Sequence, residues 1–224
     1  SEEEDIDVSD LQIPTYVINL PSRTDRKAHI LQEFEGKPEF DVHLFKAYER
    51  DRGADGLWLS IREIIRQAKD NEEEVVLICE DDHTFTPSYD REIFLRSVIE
   101  AGEQGCQMLS AGVGNFGDAI PVTHRRWWVS WLWCTQFIVI YSNAFEEILN
   151  EQFNEDDVAD EFLSKILKNK QVLYPFMSIQ KDFGYSDVTS SNNKKGTITG
   201  LFKDADKRFE NLNDAYAQCG SRKA

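Results

Sequence analysis

The chain has 224 residues, 41% of them apolar and 12% aromatic, enough to bury a sizeable core within one domain. Its 41 acids outnumber 25 lysines and arginines, for a formal charge of −16; such a surface repels phosphate backbones and anionic lipid, which excludes nucleic acid as a partner and leaves at most peripheral membrane association. Cys79, Cys106, Cys134 and Cys219 lack paired spacing and three lie in apolar segments, so reduced thiols and a cytoplasmic setting are expected. In chain order, the opening SEEEDIDVSD holds six acids in ten residues and reads, with the residues up to 12, as a solvated arm. TYVINL is a short buried strand, PSRTDRKAHILQEFE a turn and helix, and FDVHLFKAY an alternating strand. LWLSIREIIRQAK carries apolar residues at helical spacing and leads into VVLIC. YDREIFLRSVIEAG predicts a helix ended by Gly102, CQMLSAGV a strand, and GVGNFGDAIP a mobile loop. The aromatic stretch RRWWVSWLWCTQFIVIY and two helices follow, SNAFEEILNEQF and DDVADEFLSKILKNK, then the strand VLYPF and a polar, turn-rich segment. Residues 201 to 224 have weak helical spacing and are expected to form a peripheral arm. Alternating helices and apolar strands predict an α/β domain over 13–200, its mostly parallel sheet flanked by helices on both faces.

The most informative stretch is VVLICEDD at 75–82. An apolar, β-branched run that stops abruptly at Glu80, Asp81 and Asp82 reads as a strand buried on both faces with acids at its carboxyl end, the edge where open α/β sheets bind ligands. Adjacent acids repel and raise one another's pKa, so a chain that keeps them offers a cation; hard oxygen ligands suit Mg²⁺ or Mn²⁺, which in turn hold diphosphate oxygens. The bland alternative is an acidic turn on an acidic protein. His83 follows the acids and reads either as a metal ligand or as a hydrogen-bonded loop residue.

Several segments together resemble glycosyltransferase family 25, the lipooligosaccharide biosynthesis type to which collagen galactosyltransferases are related. NLPSRTDR at 19–26 looks like the family's opening motif, GLWLS at 56–60 its Gly, Leu, Ser segment, and Glu80-Asp81-Asp82 its Glu-Asp-Asp. TQFIVIYSNAFEEIL, DVADEFL and YPFMSIQKDFGYSDV are similar to its later strand, Asp-bearing helix start and Pro, Gln, Ser-Asp ending. The chain departs from the pattern at Ile61 and Gln136, where relatives carry His. The resemblance implies a GT-A fold, a nucleotide-sugar donor, UDP-linked by expectation, a divalent cation and inversion at the anomeric carbon. The implied function is transfer of a galactose or glucose type hexose to a glycan such as lipopolysaccharide or capsule. The alternatives are an inactive sugar-nucleotide or glycan-binding protein of the same fold and a metal-dependent phosphoryl-transfer enzyme without a P-loop.

Roles follow residue by residue. Asp82 is expected to hold the metal, with Glu80 and Asp81 in support; Glu80 is counted with both the metal and the donor. Asn19, Arg23 and Arg26 are the expected nucleotide and diphosphate contacts, Arg26 foremost; surface ion pairs are the plain alternative for the arginines. Asp160 is the expected base or acceptor-positioning carboxylate, with Asp157 in reserve, although acids are favoured in a first helical turn regardless. Asp187, beside Ser186, reads as a metal or acceptor contact or as a turn cap. Gln180, Trp127 and Trp128 are placed on the acceptor side. Sugars stack on aromatic faces, so Trp131 and Trp133 also read as lining an acceptor groove beside the glycine-rich loop; their alternation in one strand puts core packing first for that pair, and Arg125 and Arg126 beside the tryptophans also suit a membrane-interface patch.

Overall fold

The computed structural model describes residues 7–184 and 195–221. In chain order the elements are β1 (Ile13–Asn19), α1 (Thr24–Phe34), β2 (Phe40–Lys46), α2 (Gly53–Asp70), β3 (Val75–Glu80), β4 (His83–Phe85), α3 (Arg91–Glu103), β5 (Met108–Ser110), β6 (Asn115–Phe116), β7 (Ala119–Pro121), β8 (Arg126–Val129), β9 (Leu132–Trp133), β10 (Phe137–Tyr141), α4 (Phe145–Asn150), α5 (Ala159–Ile166), β11 (Lys170–Leu173), β12 (Ser178–Gln180) and α6 (Thr197–Ser221). Eight strands form one sheet in the order β2-β1-β3-β10-β5-β11-β8-β7. Six of them point the same way, while β10 and β8 run against their neighbours. The expected α/β architecture, a mostly parallel sheet with helices on both faces, is present.

Alternation along the strands divides the interior. Val76 and Ile78 of β3 face a core completed by α2, α4, α5 and α6, whereas Leu77 and Cys79 face a second core against α1 and α3. Within α2, Ile61, Ile64, Ile65 and Ala68 are fully buried, the stripe that helical spacing places on one face; burying each isoleucine contributes about 1.5–3 kcal/mol. Asp90 caps α3 by accepting from Ile93 N at 2.9 Å, as an N-cap aspartate does.

Four expectations are corrected. The chain from 201 is no peripheral arm: Ile198, Phe202, Ala205 and Phe209 of α6 are buried in the first core, with Phe209 stacked on Phe116 at 4.0 Å. Nor is the 1–12 segment wholly solvated, since Val8 is buried. Helix α3 runs past Gly102, whose hydrogens lie against the Tyr141 ring, and the chain turns left-handed only at Gly105 (φ 71°). The glycine-rich stretch is packed rather than mobile: a Cβ on Gly112 would collide with the Ser178 carbonyl, and β6 and β7 lie within the stretch.

Candidate active site

β3 ends at Glu80, and the chain turns through Asp81 and Asp82 into β4. The strand terminates where acids begin because β4 must reverse to pair antiparallel with β12, placing His83 opposite Gln180. The turn lies at the carboxyl edge of the parallel pair β1 and β3, between the β1–α1 turn and the start of α5. These elements enclose a cleft of about 750 Å³ lined among others by Arg23, Arg26, Tyr48, Glu80, Asp81, Asp82, Trp133, Thr135, Asp160 and Gln180.

The three acids have different surroundings. Asp81 is buried; its Oδ2 accepts from Asn19 Nδ2 at 2.7 Å and its Oδ1 from Arg26 Nη1 at 3.1 Å. Asp82 Oδ2 accepts from Gln180 Nε2 at 2.7 Å and lies 3.6 Å from Arg26 Nη1, while its Oδ1 is buried with no hydrogen-bond partner among the described residues. Glu80, half-buried at the strand terminus, accepts from Thr135 Oγ1 at 2.7 Å. Burial and then the neighbouring Asp82 charge push the Glu80 carboxyl well up; burial raises Asp82 too, against the pull of Arg26. A buried carboxylate oxygen left without a donor costs about 1–3 kcal/mol.

One segment quoted from the sequence braces this turn, and a second braces the loop beside it. In NLPSRTDR, Asn19 and Arg26 converge on Asp81, and Asn19 O accepts from Ala47 N at 3.0 Å. Arg26 is therefore engaged in holding the acids, and Arg23, half-exposed, lines the same cleft wall. In GLWLS, Ser60 Oγ accepts from Tyr48 N at 3.0 Å and donates to Gly56 O at 2.8 Å; a Cβ on Gly56 would strike the Tyr48 carbonyl. Gly56 and Ser60 thus clamp the loop whose Tyr48 and Arg50 line the cleft.

Across the cleft, Asp160 lies in the first turn of α5, and its Oδ2 accepts from Cys134 N at 2.8 Å. Burial pushes the Asp160 carboxyl up from the usual range. Cys134 has φ 80°, a left-handed conformation costing about 1 kcal/mol for such a residue; it turns the chain so that Trp133 and Thr135 both reach the cleft. No sequence signal announces a non-glycine residue in that conformation, which is why Cys134 and Thr135 escape a reading from sequence and Trp133 is expected first in the core.

Other expected residues lie elsewhere. Asp157 caps its own turn by accepting from Asn154 N at 2.7 Å, and Asp156 rather than Asp157 lines the cleft. Gln180, expected on the acceptor side, is a brace for Asp82. Trp127 is 2% exposed and packs against Phe209 and Tyr216, and Trp128 donates to Lys168 O at 2.9 Å; neither lines the cleft. Trp131 is no core residue, being 37% exposed, and Trp133 is only half-buried. Arg126 is fully buried against Gln104, Gln171 and Glu100, which removes it from any membrane-facing patch. His83 is buried, with Nδ1 2.7 Å from Ser178 Oγ, among Phe34, Phe85 and Phe137; burial holds its pKa well below the ordinary value, and it faces the core rather than a metal. Asp187 and Ser186 lie outside the described residues. Ile61 is a core residue and Gln136 binds Gly112 O and Ser178 Oγ at 2.9 and 3.1 Å, so neither departure from the family pattern removes a group from the cleft wall.

Among the described residues no three ligating side chains converge as a closed metal site. The orphaned Asp82 Oδ1 beside the repelling Glu80 fits an open site instead, in which a divalent cation takes few protein carboxylates and completes its shell with water and substrate phosphate, as Mg²⁺ commonly does.

No family model matches the chain, and no curated protein sequence is significantly similar to it. Solved structures do resemble it. A197 from STIV matches with a TM-score of 0.54 at 10% identity, over 79% of this chain and 87% of that one. A glycosyltransferase involved in glycosylation of the major capsid of PBCV-1 matches at TM-score 0.47 and 14% identity, over 72% and 80%. The apo form of a UDP-glucose pyrophosphorylase matches at 0.44 and 10%, over 88% and 82%. At such identities the likeness to A197 is one of fold, and fold alone does not assign function.

Proposed function

We propose that the protein is a transferase of GT-A type, moving a hexose from a nucleotide sugar, UDP-linked in our reading, to a hydroxyl of a glycan such as lipopolysaccharide or capsule on the cytoplasmic side. Its resemblance to glycosyltransferase family 25 in NLPSRTDR, GLWLS and the Glu-Asp-Asp turn supports the same reading. The observation that carries it is the cleft at the end of β3: a partnerless buried oxygen on Asp82 on one wall, Asp160 on the other, and room for a sugar diphosphate between them. Asp82 and Glu80 would hold Mn²⁺ or Mg²⁺, which when bound neutralises charge on the departing diphosphate.

The rest is done by the chain itself. Arg23 and Arg50 on the cleft wall supply positive charge to the diphosphate, and Tyr48 offers an exposed ring. Arg26, Asn19 and Gln180 hold the acids in place. Asp160, half-buried and more basic than a solvated aspartate because its surroundings desolvate it, takes the proton from the acceptor hydroxyl. That oxygen attacks the anomeric carbon from the face opposite the diphosphate; the new glycosidic bond forms as the bond to phosphate oxygen breaks, and the configuration inverts.

Melting curves with UDP, Mn²⁺ and both together test the reading. A shift that needs both ligands and disappears in Asp82→Ala, with turnover of a nucleotide sugar from a donor panel, is the expected result. UDP binding without turnover of any donor would leave a sugar-nucleotide binding protein; no shift at all would remove the nucleotide.

A further inference from the structure

Trp131 and Trp133 lie where a strand-like alternation would bury them, yet both are open to solvent on one side. Their ring centroids are 5.6 Å apart with planes inclined by 44°, and with Ser130, Glu161 and Lys165 they line a second hollow of about 450 Å³. Trp133 and Glu161 line this hollow and the main cleft alike, so the two are continuous around the Trp133 ring.

The rings are held in place. A Cβ on Gly117 would overlap the Trp131 indole and Ser130 Oγ, so the glycine backbone is a flat support for one indole face. Gly117 N donates to Trp131 O at 3.1 Å and Gly114 N to Trp133 O at 3.1 Å, tying the tryptophan stretch to the segment around β6. On the other side, Ser164 Oγ of α5 accepts from Leu132 N at 3.0 Å. Two indoles held side by side and part-exposed in this way offer flat apolar faces at the wall of a hollow, the kind of lining that small-ligand sites use. The polar groups around it are one carboxylate, one ammonium and two hydroxyls, those of Ser130 and Ser164, a mixture suited to neutral hydroxyls that both donate and accept. On a chain of charge −16 a polyanion is disfavoured.

Position decides which substrate is served. Glu161 directly follows Asp160, so the hollow opens on the side of the proposed base, opposite Arg23 and Asn19. We propose that the Trp131–Trp133 hollow is a subsite for a pyranose unit of a neutral stretch of the glycan acceptor. The C–H face of the sugar stacks on the indoles, its hydroxyls reach Glu161 and Lys165, and the next unit of the chain presents its hydroxyl at Asp160. This rests on the transferase reading above for its direction, but the binding itself does not require it.

The test is titration of the full chain with neutral di- to tetrasaccharides of glucose and galactose, observed through the five tryptophan indole N–H resonances. The expected result is saturable shifts of the Trp131 and Trp133 resonances, stronger for tri- than for disaccharides, and weakening by about tenfold in Trp131→Ala. Gly117→Ala, which keeps both tryptophans but displaces one, should weaken binding as well, and melting curves establish that each variant is folded. If no sugar in the panel moves these two resonances, if affinity survives in folded Trp131→Ala, or if UDP rather than sugar moves them, the subsite is wrong. Sugar binding without UDP binding in the wild type would sink the transferase reading and leave the subsite standing; UDP binding without sugar binding would do the reverse.

Discussion

Arg26 is shared between two carboxylates: its Nη1 lies 3.1 Å from Asp81 Oδ1 and 3.6 Å from Asp82 Oδ2, with both acids and the arginine buried. Removing one partner of a buried ion pair strands the other, at a cost of about 3–5 kcal/mol. Arg26→Gln is therefore expected to be strongly destabilised in urea titrations at pH 8 and less so at pH 5, where protonation relieves the acids. Equal loss at both pH values would show that Arg26 acts through packing rather than charge.

The acids also set a pH dependence for the wild type in the absence of divalent cations. Burial and then the Asp82 charge raise Glu80 from 4.5 to about 8, and burial, with the Asp81 charge and against the pull of Arg26, raises Asp82 from 3.8 to about 6. Between those limits the folded protein holds protons that the unfolded chain has released, so stability must decline as pH rises and level off above about pH 8. The melting temperature should fall across this window, and Glu80→Gln should flatten the fall. Adding Mn²⁺ should raise the melting temperature more at pH 8 than at pH 5, because protons compete with the cation. A flat profile in chelator would mean that the two carboxylates are solvated.

Much of the architecture was open to a reader of the sequence, and the reasons are local. Residues 75–79 of β3 and the whole of β10 are uninterrupted apolar runs because both faces of each strand are covered, and α2 shows its stripe because one face is. Helix α6 was harder: Ile198, Phe202, Ala205 and Phe209 do recur at helical spacing, but charged residues fill the turns between them and the helix meets a core built from distant strands. In the site, the acids were visible as neighbours in sequence, whereas their partners were not. Gln180 reaches Asp82 across 98 positions, and Arg26 reaches Asp81 across 55, pairings that only the β4–β12 ribbon and the β1–β3 pairing create. The tryptophans show the same limit: alternation assigns Trp131 and Trp133 to one side of a strand but says nothing about whether another layer covers it.

Phe209 tests the reassignment of the C-terminal helix. It is fully buried, stacked on Phe116 at 4.0 Å and on Tyr174 at 5.4 Å. Phe209→Ala is expected to cost about 3–5 kcal/mol, seen as a lower urea midpoint with a two-state transition. A change below about 0.5 kcal/mol, the range of surface substitutions, would return the helix to a peripheral role.

The GLWLS segment should act on ligand binding through the loop it clamps. Ser60→Ala leaves Tyr48 N without its acceptor, costing about 1–2 kcal/mol if water cannot replace it, and Gly56→Ala forces the Tyr48 carbonyl aside. Both variants are expected to bind UDP more weakly by isothermal titration while remaining folded. Unchanged affinity would mean that the Tyr48 loop contributes nothing to the nucleotide.

Asp160 offers the sharpest separation of structure from chemistry, because one carboxylate serves both. Its Oδ2 accepts from Cys134 N and its Oδ1 from Glu161 N at 2.9 Å; the amide oxygen of Asn can accept the first bond while its NH2 gives up the second to solvent, so Asp160→Asn should keep the turn with a melting temperature lowered by far less than in Asp160→Ala. It cannot take a proton from an acceptor hydroxyl, however, and a general base contributes about 10²–10⁴ in rate. Turnover of Asp160→Asn should fall by that order at saturating donor, with UDP affinity retained. Asp160→Ala should lose the same turnover and stability as well, since Cys134 would hold φ 80° without its anchor. If Asp160→Asn turns over at the wild-type rate, the residue is a brace for Cys134 alone, and the base must be sought on the opposite wall of the cleft.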